Sequence, residues 1–204
     1  MEEFSVEKAA DELKKGNFVI LLDDASRENE GDLLLPAEFA TAEKLNYMIT
    51  NGRGILCVPI EASRLDELGI PLMVDKSSDR YKTPFTVTVD AKEGIATGTS
   101  VFDRAKTIAL LINPEAKPED LARPGHIFPL RPHEKGVIGR TGHTEAAVDL
   151  MKIAGLYPAA VIVEIMDERG EMAKFRDLRG FAQREGWRMI RVMDVVRYLR
   201  GKLY

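Results

Sequence analysis

Short apolar runs alternate with amphipathic helical stretches along the whole chain, and this alternation restricts the fold more than any other feature. The apolar runs are Phe18 to Leu22, Leu33 to Leu35, Ile55 to Ile60, Phe85 to Asp90, His126 to Leu130, Ala159 to Met166 and Met189 to Val192. Their length and β-branched content predict strands. Pro59 would place its part of the third run at a sheet edge or a strand end. Between them, periodicity predicts helices over 5–15, 41–51, 61–69, 100–111, 143–154, 174–185 and 193–200. Ser5, Thr41 and Ser100 are suited to cap three of these, and Ser100 with Asp103 has capping-box spacing. No Pro/Gly/Ser-rich linker or composition shift interrupts the pattern, so we expect one α/β layered domain over residues 1–204.

The densest chemistry lies between the first two strands. Asp23-Asp24-Ala25-Ser26-Arg27-Glu28-Asn29-Glu30-Gly31-Asp32 packs five carboxylates around one Arg. Such charges repel and resist desolvation, so the loop is either solvated or neutralised by something positive. Glu28, Glu30 and Asp32 recur every second residue, which on an extended backbone puts three carboxylates on one face, an arrangement suited to a hard cation. The plainer alternative is a solvated acidic turn, and it is the description that fits Asp23 and Asp24.

Three His are present, His126, His133 and His143, and two follow the pattern Arg-x-Gly-His. Arg140-Thr141-Gly142-His143-Thr144 opens a predicted helix, where free backbone N–H groups, two hydroxyls and a guanidinium would form an anion cradle. Simple capping by Thr141 is the structural alternative. Glu164 interrupts an otherwise apolar strand. If that strand is central, burial should raise the carboxyl pKa, as acid–base work requires; at a strand end or edge it would sit in water. Cys57 reads as a small buried hydrophobe, Asp103 as a helix cap, and 75–83 as a mobile loop.

Composition narrows the classes. The formal charge of -4 argues against a nucleic-acid partner, no apolar run reaches the ~20 residues a membrane helix needs, and the lone Cys fits a reducing, cytoplasmic setting.

Several of these strings together resemble the 3,4-dihydroxy-2-butanone 4-phosphate synthase family of riboflavin biosynthesis. They are Asp23-Asp24 with Arg27 to Leu33, Thr83-Pro84-Phe85-Thr86-Val87-Thr88-Val89-Asp90, Gly98 with Asp103-Arg104-Ala105 and Thr107-Ile108, Arg123 to Leu130, Arg140 to Leu150, and Glu164. The resemblance runs in order from about residue 5 to 200 and departs only slightly, at Ala96-Thr97-Gly98-Thr99. It implies a three-layer α-β-α sandwich with a mixed sheet, and a homodimer with active sites near the subunit interface. The implied reaction is a lyase step, D-ribulose 5-phosphate to L-3,4-dihydroxy-2-butanone 4-phosphate and formate, using Mg²⁺; a His ligand is softer than Mg²⁺ prefers, so Mn²⁺ is expected to substitute. Because the chain ends soon after the matching region, a monofunctional enzyme is expected.

By the same resemblance, Glu28 and His143 are the metal ligands, and His126 and Glu164 are catalytic. Arg27, Glu28, Asp32, Arg140, Thr141, Gly142, His143, Thr144 and Glu164 contact substrate, and Glu30 is an accessory of the acidic loop. The rival readings are another metal-dependent sugar-phosphate isomerase or aldolase, and a non-catalytic nucleotide- or RNA-binding module.

Overall fold

Helix starts are set by side-chain caps where the sequence offers them. In the computed structural model, which describes residues 4–24 and 27–202, Ser5 accepts from the Lys8 N–H and opens α1 (Val6–Lys14). Thr41 does the same for α2 (Ala42–Asn51) and Ser100 for α4 (Val101–Ile112), with α3 (Ala62–Glu67) between them. The short α5 (Gly136–Gly139) precedes α6 (His143–Ala154), which ends on Gly155 at φ +70°, a left-handed stop open to glycine. Two more helices, α7 (Phe175–Glu185) and α8 (Val192–Gly201), complete the set.

The strands are β1 (Val19–Leu22), β2 (Gly31–Pro36), β3 (Cys57–Pro59), β4 (Val89–Ala91), β5 (Leu121–Leu130), β6 (Ala160–Glu164) and β7 (Arg188–Arg191). They form one mixed sheet in the order β4-β5-β3-β6-β2-β1-β7. The β1–β7 and β3–β5 pairs are parallel; the other ladders are antiparallel.

Every residue of β1 and β2 is buried, so both faces must be covered. Alternation sorts the side chains. Ile20, Leu22, Leu33, Leu35, Val161 and Val163 pack with Leu45, Leu65, Ile108 and Leu178 from α2, α3, α4 and α7. Val19, Leu21, Leu34, Ile162 and Ile190 pack on the other face with Leu13, Leu150 and Val195 from α1, α6 and α8. The result is the expected three-layer α-β-α sandwich.

Several strand expectations shift, Ala159–Met166 shortening to Ala160–Glu164 and Val192 passing to α8 among them. Phe85 to Asp90 does not form one strand: only Val89 onward is in β4, and even there the β4–β5 register breaks between Val89 and Asp90. Phe85 and Thr86 instead make isolated bridges to Leu130 and Leu72. β5 begins at Leu121 rather than His126. The third apolar run shortens to Cys57–Pro59, leaving Ile55 half-exposed. Pro59 closes an interior strand, which is the strand-end option.

Candidate active site

Strand register makes the first contact of the site. Asp32 on β2 pairs directly with Glu164 on β6. Both share strand parity with Leu34 and Ile162, so they face the α6 side at the carboxyl end of β6. Opposed residues in such a ladder hold their Cβ atoms about 5 Å apart. Helix α6 meets them with its first residue: His143 Nδ1 lies 3.1 Å from Asp32 Oδ2, with both side chains buried.

The protonation logic follows from that pair. Burial alone would lower the His143 pKa, but the Asp32 carboxylate, helped by Asp23 and Glu28, outweighs burial and raises it to about 9. Burial, and then the Asp32 charge, raises Glu164 to about 7. Glu164 is the last residue of an interior strand, and its carboxylate accepts from the Ile55 N–H at 2.7 Å. Gly54 makes room for it, because a Cβ there would collide with the Glu164 side chain. Glu30 is also raised, first by burial and then by Glu28 and Asp32.

Two buried atoms in this cluster lack any partner among the described residues: Asp32 Oδ1 and His143 Nε2. Leaving such atoms unmatched costs roughly 1–3 kcal/mol each. Once the ring is neutral, with its remaining Nδ1–H donated to Asp32, the Nε2 lone pair is free, which is the carboxylate–His arrangement that prepares a metal ligand. No group of three or more His, Cys, Asp or Glu side chains among the described residues is arranged to hold a metal by itself. Two protein ligands suit Mg²⁺, which keeps several waters or substrate oxygens in its shell.

A cavity of about 220 Å³ gathers Arg27, Glu28, Glu30, Asp32, Arg140, His143, Thr144 and Glu164 on its walls, together with Cys57 and Tyr81. Larger clefts exist, one of about 550 Å³ beside α4 and β4 among them, but that one holds no His and no buried carboxyl–imidazole pair. Cys57 is buried as expected, and burial pushes its thiol well up. Thr141 and Gly142 do not line the cavity. Gly142, not Thr141, is the N-cap of α6, and Thr141 is exposed.

The acidic loop reaches the cavity by a different route from a simple extended chain. Asn29 has φ +57°, so strand periodicity starts only beyond it. Asn tolerates that left-handed geometry better than most residues. Asp23 is not a solvated turn residue. Its side chain is buried and accepts from the Glu28 and Glu30 N–H groups, both at 2.9 Å. It also receives Arg27 at 3.2 Å, while Arg27 holds Glu28 at 2.8 Å. Ala25 and Ser26 lie outside the described residues.

Arg140 is likewise held in place. Glu145, fully buried in the first turn of α6, accepts from it at 2.7 Å and from the His133 N–H at 3.0 Å. The Tyr81 carbonyl accepts from the second Arg140 nitrogen at 3.1 Å.

His126 does not line this cavity. Its Nδ1 lies 2.7 Å from Asp90 Oδ2 and its N–H donates to Asp90 Oδ1 at 2.9 Å, leaving the ring half-exposed. Gly98, at φ +87°, admits both side chains, since a Cβ there would strike Asp90 and His126. Asp103 is not only part of a cap: it accepts from the Ala96 and Gly98 N–H groups and holds that loop beside His126. Asp23, Tyr81 and Glu145 thus support the cavity, and Asp90 holds His126 outside it, none of them with a role assigned from sequence. For Asp23 the crowding of charge is the available signal; Asp90 and Glu145 lie within strings that carry the family resemblance, and Tyr81 carries no signal.

The profile of the 3,4-dihydroxy-2-butanone 4-phosphate synthase family matches residues 7–198. The 3,4-dihydroxy-2-butanone 4-phosphate synthase of Agrobacterium fabrum is 46% identical, over 97% of this chain and 93% of that protein. A probable bifunctional riboflavin biosynthesis protein of Oryza sativa is 50% identical, over 97% of this chain but 36% of its own length. This chain spans less than half the length of several curated relatives. Among solved structures, a 3,4-dihydroxy-2-butanone 4-phosphate synthase in complex with two magnesium ions superposes with a TM-score of 0.91 at 37% identity, covering 97% of both chains.

Proposed function

The chain belongs to the 3,4-dihydroxy-2-butanone 4-phosphate synthase family, and we propose from this that it converts D-ribulose 5-phosphate to L-3,4-dihydroxy-2-butanone 4-phosphate and formate. One observation carries the reading beyond family membership. The Asp32–Glu164 register pair meets His143 in a cavity that also holds Arg140, and it leaves Asp32 Oδ1 and His143 Nε2 unmatched. That is a cation position beside an anion position, which a phosphorylated ketose needs.

Glu28 and His143 would hold Mg²⁺, with Mn²⁺ as a substitute because an imidazole ligand is softer than Mg²⁺ prefers. When bound, the metal supplies charge stabilisation for an enediol and its oxyanions. The remaining work falls to the chain. Asp32 orients His143 through Nδ1. Glu164, with its pKa near 7, is balanced to take a proton next to the ketose carbonyl and to return one during dehydration. Arg140 and Thr144, with the N-terminus of α6, bind the phosphate; Thr141 and Gly142 shape that turn. Arg27 and Glu30 keep the acidic loop in place and help exclude water from reactive intermediates.

His126 completes the set from a second copy of the chain. Within one chain it sits outside the cavity, half-exposed and oriented by Asp90, and a homodimer with sites at the interface supplies it to the neighbouring cavity. The single Cys fits a reducing, cytoplasmic setting, which we propose for this protein, and no helix among the described residues is long and apolar enough to cross a membrane.

The test is formate release from ribulose 5-phosphate with and without Mg²⁺. Activity should require the metal and fall at least a hundredfold in Glu28→Ala and His143→Ala while both variants keep the wild-type circular dichroism. Metal-independent turnover, or full activity in either variant, would reject the site.

A further inference from the structure

Tyr81 makes a set of contacts that the proposed function leaves unused. Its hydroxyl donates to the Arg27 carbonyl at 3.0 Å, and the Arg27 guanidinium lies over its ring, 5.4 Å from the centroid. Its own carbonyl accepts from Arg140 at 3.1 Å. Tyr81 therefore touches both loops that bring charge to the cavity, across sequence separations of 54 and 59 residues. At the far ends, Arg140 is fixed by the buried Glu145, and Arg27 by Asp23 and Glu28. A continuous line of contacts, Glu145–Arg140–Tyr81–Arg27–Glu28, thus runs along the cavity wall.

We propose that Tyr81 is a positioning residue that fixes the spacing between the acidic loop and the Arg140 anion site. It rests on the proposed function only for the identity of the ligand. The acidic loop needs such a tie, because its carboxylates repel one another. Bonds within it, from Glu28 and Glu30 N–H to Asp23, fix its shape, and the Asp32–His143 contact holds only its β2 end against α6. A displacement of about 1 Å between the two ends of a bound sugar phosphate can cost on the order of a hundredfold in rate. The segment around Tyr81 has no regular structure of its own. The phenol is the group by which this segment, whose Tyr81 carbonyl already meets Arg140, reaches the opposite loop.

Two variants of the full chain separate the contacts. Tyr81→Phe keeps the ring beneath Arg27 and removes the O–H; Tyr81→Ala removes both. In metal-free protein, amide exchange at Glu28 and Glu30 should quicken about two- to tenfold in Tyr81→Phe, the size of one net hydrogen bond. Loss of the cation–π contact should bring this to about five- to fiftyfold in Tyr81→Ala. Amides of Leu150 and Met151 in α6 should exchange as in wild type. With ribulose 5-phosphate and Mg²⁺, kcat/KM should fall in the same order while the pH profile stays fixed. Unchanged exchange at Glu28 and Glu30 in both variants overturns the proposal. So does an equal increase at Leu150 and Met151, which marks loss of the fold rather than of a tie. The exchange result stands even if no formate is released, so failure of the proposal and failure of the functional reading are told apart.

Discussion

Replacing Asp32 with Asn tests how the site sets the charge of His143. Burial opposes the imidazolium, and the Asp32 carboxylate at 3.1 Å overcomes that opposition. A pKa of about 9 in place of 6.5 corresponds to roughly 3 kcal/mol in favour of the protonated ring, at ~1.4 kcal/mol per pH unit. Asn keeps the size of the side chain and removes the charge, while burial and the weaker influence of Asp23 and Glu28 remain. The His143 pKa should then fall to 6.5 or below. The group's folded pKa is raised, so its contribution to stability is complete below pH 6.5 and is lost as pH rises through about 9. Titration of metal-free protein by imidazole NMR reads the pKa directly. Urea unfolding at pH 6.5 and 9.5 reads the linkage: wild type should lose up to ~3 kcal/mol more than the variant over that window. A His143 that still titrates near 9 in Asp32→Asn would refute the reasoning, because Asp32 would not be the group that holds the proton.

Three further outcomes follow from the same geometry. Metal binding to Nε2 requires a neutral ring, so Mg²⁺ binding at pH 7.5 should release close to one proton, and affinity should climb toward tenfold per pH unit below 9; calorimetry in buffers of different ionisation enthalpy checks this, and the absence of proton release would remove His143 from the metal site. Arg140→Ala should raise KM for the phosphorylated substrate by tenfold or more, since it removes a charge-assisted contact, and an unchanged KM would put the phosphate elsewhere. Glu145→Gln should raise KM in the same direction but less, because it weakens the group that holds Arg140 at 2.7 Å without removing the guanidinium; steady-state kinetics beside Arg140→Ala gives the ranking.

Parts of this architecture are readable from sequence because local physics determines them. Helix α6 is read to the residue, His143 to Ala154, since its apolar periodicity and the following Gly both mark it. The caps Ser5, Thr41 and Ser100 behave as their side chains predict. The Phe85–Asp90 alternation misleads because β pairing depends on a distant partner, and the ladder to β5 changes register at Val89. The site divides in the same way. Asp32, His143 and Glu164 attract attention by residue type and context, and the fold brings them together. Asp90, Glu145 and Tyr81 act through long-range contacts: Asp90 meets His126 across 36 residues and Tyr81 meets Arg140 across 59. Nothing in their local sequence announces those partners. His126 looked equivalent to His143 by motif, yet the two Arg-x-Gly-His segments sit in different structure, one within β5 and one at a helix start.

The most direct test of the whole account follows the carbon atoms. Uniformly ¹³C-labelled ribulose 5-phosphate, incubated with the protein and Mg²⁺, should give one formate and one four-carbon phosphate for each substrate consumed, seen together by ¹³C NMR. A five-carbon isomer, or cleavage into two- and three-carbon products without formate, would contradict it and place the same carboxylates, His143 and Arg140 in an isomerase or aldolase.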